Sequence, residues 1–119
     1  MAMDERGSGT VLAAGLALTM LLLTAVILGL GQAATAAAKA ATAADLSALA
    51  AADVYRGLSE GDACQRAGEV AARHGAYLSE CSLLSDLSVQ VTVGVRTTLP
   101  WAAEGKARAG PPPDAVPDR

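Results

Sequence analysis

The sequence has no phenylalanine, a single tryptophan and two tyrosines, yet 52% of its 119 residues are hydrophobic. One histidine and two cysteines are too few for a zinc site of the His/Cys type. Charged residues make up 18%, below the roughly 25% of ordinary soluble domains. The net charge of −3 leaves no basic footprint, which argues against nucleic acid as a partner. No paired carboxylates, metal-ligand cluster or phosphate-binding glycine loop can be placed, so neither an enzyme nor a small-molecule or cofactor site is expected. The length allows one small domain at most. Together these shortages point to a membrane-tethered accessory protein.

Apolar residues are concentrated at one end. No charge lies between Arg6 and Lys39, and the centre of that stretch is the twenty-residue run Val11–Leu30. As a helix this run spans about 30 Å, the thickness of a bilayer's hydrocarbon core. Helix is the only single-segment structure that pairs every backbone amide in lipid. Thr19 and Thr24 fit such a segment because a helical Thr can bond back to the preceding turn. A cleaved secretory signal is the competing reading, with small-residue sites in Ala33-Ala34-Thr35-Ala36. The leader Met1–Arg6 lacks the positive charge of a signal, and the apolar run exceeds the usual length, so a retained single-pass helix is expected.

Arg6 and Lys39 nearly cancel in the count of flanking positive charge. Orientation therefore rests on Cys64 and Cys81, an even pair in a short domain of the kind found in oxidising compartments. A disulfide between them is expected, with the N-terminus inside and the C-terminal domain outside; two buried reduced thiols are the alternative.

Beyond the apolar run, Gln32–Leu58 is rich in alanine and free of proline, and helix is expected from about Ser8 to Arg56, with Gly29 and Gly31 as a hinge. A flexible Ala-rich linker is the alternative. Leu46, Leu49, Ala50 and Val54 form an apolar stripe that a linker would not need. Asp62, with Gln65 three residues on, caps a second helix whose weak apolar face is Ala63, Ala67, Val70 and Ala71. His74 and Gly75 end it, which gives His74 a structural role at the helix terminus. Leu87, Val89, Val91, Val93 and Val95 then alternate with polar or small residues, a period-two strand stopped by Pro100. Tyr77–Leu84 forms a shorter strand before it, with Ser85-Asp86 at the turn, and Glu104–Ala109 an edge strand after it.

The fold class is thus α+β, with a long N-terminal helix, a short second helix and a small antiparallel sheet. The chain divides into a leader (1–7) on the cytoplasmic side, a transmembrane helix (8–31), an extracytoplasmic α+β domain (32–110) and a Pro-rich disordered tail (111–119). Small residues Ala17, Ala25 and Gly29 offer close helix–helix packing in lipid, where apolar attraction between helices is absent. Ala36, Ala40, Ala43, Ser47 and Ala50 continue this ridge outside, facing either a partner or the chain's own sheet.

The opening Arg6-Gly7-Ser8-Gly9-Thr10-Val11 before a long apolar helix resembles the N-terminus of TadE-like pseudopilins, minor pilin-like proteins of tight-adherence (Flp-type) pilus systems. Ala44-Asp45-Leu46-Ser47-Ala48-Leu49-Ala50-Ala51 is similar to a segment of their actinobacterial members, as are Cys64, His74-Gly75-Ala76, Cys81 and the Val-rich strand. The resemblance covers residues 4–110. It implies a type IV pilin-like fold, a structural role in pilus or secretion assembly, and pilin-like or assembly membrane proteins as partners beside membrane lipid. It also implies prepilin-peptidase cleavage between Gly7 and Ser8. The pilin Glu at the fifth mature position would then fall on Leu12, a departure that suits a minor, priming or regulatory component better than a major pilin. A membrane-anchored or released extracytoplasmic binding module unrelated to pili is the alternative.

Placing Arg at both Leu21 and Leu22 should abolish stable membrane insertion, since each central charge costs about 2.5–3.5 kcal/mol on insertion scales. Carbonate extraction reads the outcome, and a double variant that stays in the pellet would refute the membrane assignment.

Overall fold

The computed structural model describes residues 2–112, and the side chains from residue 7 onward. Helix α1 spans Ala2–Tyr55 and helix α2 Ala63–Arg73; strands β1 (Tyr77–Leu83), β2 (Val89–Val95) and β3 (Ala103–Ala109) follow. The chain divides into two compact units, Met1–Gln32 and Ala33–Arg119. The first is α-helical from Ala2. Thr19 Oγ1 donates to the Gly15 carbonyl and Thr24 Oγ1 to that of Met20, both at 2.8 Å, so neither hydroxyl is left for lipid to solvate. Gly29 and Gly31, the expected hinge positions, are helical. Alanine on both sides sustains the helix through the glycines, each of which costs only about 1 kcal/mol.

In the second unit both helices end in the same way. At the end of α1, Gly57 takes φ +82°, its N–H donates to the Val54 carbonyl (3.0 Å), and the Leu58 N–H donates to that of Asp53 (2.8 Å). At the end of α2, Gly75 takes φ +71°, its N–H donates to the Ala72 carbonyl (3.1 Å), and that of Ala76 to the Ala71 carbonyl (2.9 Å). Each is a Schellman closure, which needs a left-handed residue and satisfies terminal carbonyls. Asp62 caps the start of α2, accepting from the Gln65 N–H at 2.8 Å.

The sheet is antiparallel throughout, in the order β1-β2-β3. Its central strand buries Val89, Val91, Val93 and Val95. From α1 the core receives Ala40, Ala43, Ala44, Ser47, Ala48, Ala51, Ala52 and Val54, and from α2 Ala63, Ala67 and Ala71. The core is therefore alanine and valine, and no large side chain fills it. Backbones approach closely as a result: a β-carbon on Gly105 would collide with the carbonyl of Ala40. On the other face, a β-carbon on Gly94 would strike the Tyr77 ring.

Three expectations change. Leu46 and Leu49 face outward, with Leu49 56% exposed. The buried stripe lies on the alanine side of the helix because the valine layer leaves room only for methyl groups. Leu87 belongs to the β1–β2 turn, not to the strand, and is a non-glycine residue at φ +63°. Its N–H donates to the Leu84 carbonyl at 3.2 Å, the geometry of a three-residue hairpin loop with a left-handed last residue. That conformation costs a β-carbon-bearing residue roughly 1–2 kcal/mol. Strand β2 ends at Val95, so Pro100 lies inside the following loop and does not itself stop the strand. Of the tail, residues 111 and 112 have no regular structure, and 113–119 lie outside the described residues.

Asp86 holds the strained turn. Its carboxylate accepts from the Ser88 hydroxyl, the Ser88 N–H (3.2 Å) and Arg108 Nη2 on β3 (2.7 Å), while Arg108 Nε donates to Ser88 Oγ (3.0 Å). The Ser88 hydroxyl, with help from Arg108, holds the carboxyl below its ordinary value. A depressed carboxylate stabilises the fold above its unfolded pKa, and that contribution fades as pH falls through the folded value. Ser47, by contrast, is buried with its hydroxyl unpartnered. An unmet buried polar group costs about 1–3 kcal/mol, and Ser47 is tolerated here because its volume is close to alanine's.

The Gly105→Ala variant should lose about 2–3 kcal/mol, since its new methyl meets backbone that cannot rotate away. Gly94→Ala should lose less, because the Tyr77 ring can turn aside. Urea unfolding of both variants in detergent checks this, and equal losses would contradict the close approach of α1 to β3.

Candidate membrane helix and disulfide-linked domain

Within the first unit, the apolar side chains of residues 11–30 are exposed on every side of the helix: Val11 is 73% exposed, Leu21 68% and Ile27 65%. Apolar exposure of that extent over twenty residues marks a surface for lipid or for another protein. By length and composition the helix can cross a membrane, and with apolar residues on all faces it suits a lipid surround. Ala17 and Ala25 are exposed and Gly29 half-buried. A β-carbon added at Gly29 would meet nothing within 4 Å, so that position is open to a neighbouring helix. Gly7 and Ser8, the sequence-based cleavage pair, are helical and exposed.

The outer ridge of small residues resolves differently. Ala40, Ala43 and Ser47 are fully buried in the domain's own core, so they pack against the chain's own sheet and are not available to a partner. Ala36 and Ala50 are half-buried. What α1 leaves exposed in the second unit is the opposite side, with Leu46 and Leu49.

Cys64 on α2 and Cys81 on β1 form the disulfide, with α-carbons 5.8 Å apart and a sequence separation of 17. Among the described residues no cysteine is free. The bond fastens α2 across β1, where Leu78 and Cys81 pack on the core. Tyr55 at the end of α1 donates its hydroxyl to the Leu84 carbonyl at 3.1 Å, tying that helix to the β1–β2 turn. His74 occupies the C-cap of α2, its N–H donating to helix carbonyls, as expected from the sequence. No three His, Cys, Asp or Glu side chains gather into a metal-binding group among the described residues.

Gly105 and the Asp86–Ser88–Arg108 cluster were not singled out by sequence reasoning. A signal for Gly105 exists in Ala103-Gly105-Ala107-Ala109, small residues at every second position of β3, which mark a face too close to its neighbour for larger side chains. The cluster has no sequence signal, because Asp86 and Arg108 are brought together only by the hairpin register. No family model, curated protein or solved structure matches this chain.

Reducing Cys64–Cys81 should lower stability by about 3 kcal/mol, the loop-closure value for a separation of this size. Denaturation with and without reductant, and alkylation read by mass, provide the measurement. Thiols labelled without reductant in protein taken from cells would contradict the bond.

Proposed function

We propose that this chain is a membrane-anchored, pseudopilin-like subunit of a tight-adherence type pilus or secretion assembly, with a structural rather than catalytic role. The supporting observation is the pairing of an apolar helix exposed on all faces with a small disulfide-linked domain built on the continuation of α1. Such a chain has the means to sit in a bilayer and present a folded domain. Its N-terminus lies in the cytoplasm and its domain outside, where the disulfide would be stable. Partners are other pilin-like or assembly membrane proteins, contacted through Ala17, Ala25 and Gly29 in lipid and through the outward Leu46 and Leu49 beyond it.

Leu12 favours a second reading. Without an acidic residue in the apolar segment to pair with a neighbour's free amine, filament register has no charged device. A membrane-anchored or released extracytoplasmic binding module is consistent with that lack.

The mass of the mature N-terminus in cells separates these readings. A start at Ser8 supports the pseudopilin reading, and an intact leader is neutral to the anchored module. A start within residues 33–40 would identify a cleaved secretory signal and overturn the anchor.

A further inference from the structure

One end of the disulfide-linked domain gathers cations beside an exposed tryptophan. An open pocket of about 290 Å³ there is lined by Lys39, Gly75, Ala76, Tyr77, Val95 and Arg96. The Lys39 ammonium lies over Gly75, where a β-carbon would come within 2.8 Å of it. The Arg96 guanidinium stacks on Tyr77, 5.8 Å from the ring centroid. Arg73 closes α2 at the same end. Glu104 stands against these three cations, paired with Gly94 one step in from the strand ends. The other end, where Tyr55 donates to Leu84 beside the β1–β2 turn, holds Asp53 and Asp86 with Arg56 and Arg108. Glu60 and Asp62 follow in the α1–α2 connection, and Asp45, Glu69 and Glu80 lie within α1, α2 and β1. Charge is thus segregated along the domain.

The β2–β3 loop leaves from this cationic rim, because Val95 and Ala103 are the last pair of the hairpin. Thr97 shapes it: its hydroxyl accepts from the Leu99 N–H at 3.1 Å and lies 2.7 Å from the Trp101 carbonyl, to which it donates. The loop presents Trp101, the only tryptophan in the chain, at 64% exposure. Lys39 follows Leu30 by nine residues, so the Lys39 backbone can be no more than about 30 Å of chain from the apolar run.

We propose that this rim docks on the anionic headgroups of the bilayer that α1 crosses. Lys39 and Arg96 meet lipid phosphates, and Trp101 seats its ring at the interface, where an amphipathic aromatic is most stable. The inference rests on the reading of α1 as a membrane-spanning helix. Charge complementarity chooses lipid over a protein partner: the end that carries Lys39, the domain's cation nearest in sequence to the apolar run, is net positive, while four of the eight acids between residues 33 and 112 lie at the other. Docking would fix the orientation in which the domain is offered to its neighbours.

The test uses the full-length protein in phosphatidylcholine vesicles with or without phosphatidylglycerol, with flotation run alongside. Trp101 emission should shift to the blue, and be quenched by brominated lipid, only when phosphatidylglycerol is present; high salt should reverse both. Lys39→Gln and Arg96→Gln should each reduce the docked fraction about fivefold while the protein still floats. Protein that floats but gives the same emission in both vesicles overturns the docking and leaves the anchor standing. Shielding of Trp101 that rises with protein-to-lipid ratio in neutral vesicles assigns the rim to a second copy and also overturns it. Protein that fails to float overturns the anchor, and the docking with it.

Discussion

The approach of α1 to the sheet, close enough that the Ala40 carbonyl excludes any side chain at Gly105, sets the terms for the rest of the domain. A helix can lie this near a sheet only if the facing surfaces are methyl groups and hydrogens, and here they are alanine from two helices over valine from β2. Small side chains remove little apolar area from water, at about 25 cal/mol per Å². The domain compensates with connections: two Schellman closures, the Asp62 cap, the Tyr55 tie, the Asp86–Arg108 clamp and the Cys64–Cys81 bond. A disulfide of about 3 kcal/mol is a large share of a total that runs only 5–15 kcal/mol for ordinary domains.

The same constraint divides the labour along α1. From residue 11 to residue 30, large apolar side chains project on every side, over a length that can cross a membrane. From Ala40 onward one side is alanine and belongs to the core, while Leu46 and Leu49 project away from it. One helical element therefore contributes a bilayer-length apolar run and one layer of a folded domain.

How much of this could be read from the residues follows from the range of the forces involved. Local signals were clear: the charge-free run, the Asp62 cap, the glycine after His74, and the period-two valines each depend on neighbours a few residues apart. The cysteine pairing was legible from their even number in a short domain that follows an apolar segment. The buried side of α1 was legible in part. The ridge of Ala40, Ala43 and Ser47 stood out, with either a partner or the chain's own sheet as its contact. Periodicity, which weighs leucine over alanine, put Leu46 and Leu49 in the apolar stripe, although the valine layer selects for small size. The placement of Leu87 failed for a related reason. Alternation alone extends a strand through it, and only the Asp86–Ser88–Arg108 contacts, set by β2–β3 register, show that the turn takes it instead. Ala17, Ala25 and Gly29 are exposed or open in the first unit, while Ala40, Ala43 and Ser47, for which a partner and the chain's own sheet were both open from the sequence, are enclosed by the sheet.

The central claim is that the alanine side of α1 is the core of the domain and unfolds with it. Native-state hydrogen exchange on the full-length protein in detergent tests this most directly. Amides of Ala43, Ser47 and Ala51 should exchange with the same opening free energy as those of Val91 and Val93, and both groups should lose protection together in denaturant. Rapid exchange at Ala43–Ala51 while Val91 and Val93 stay protected would show a helix that merely passes beside the sheet, and would contradict the account.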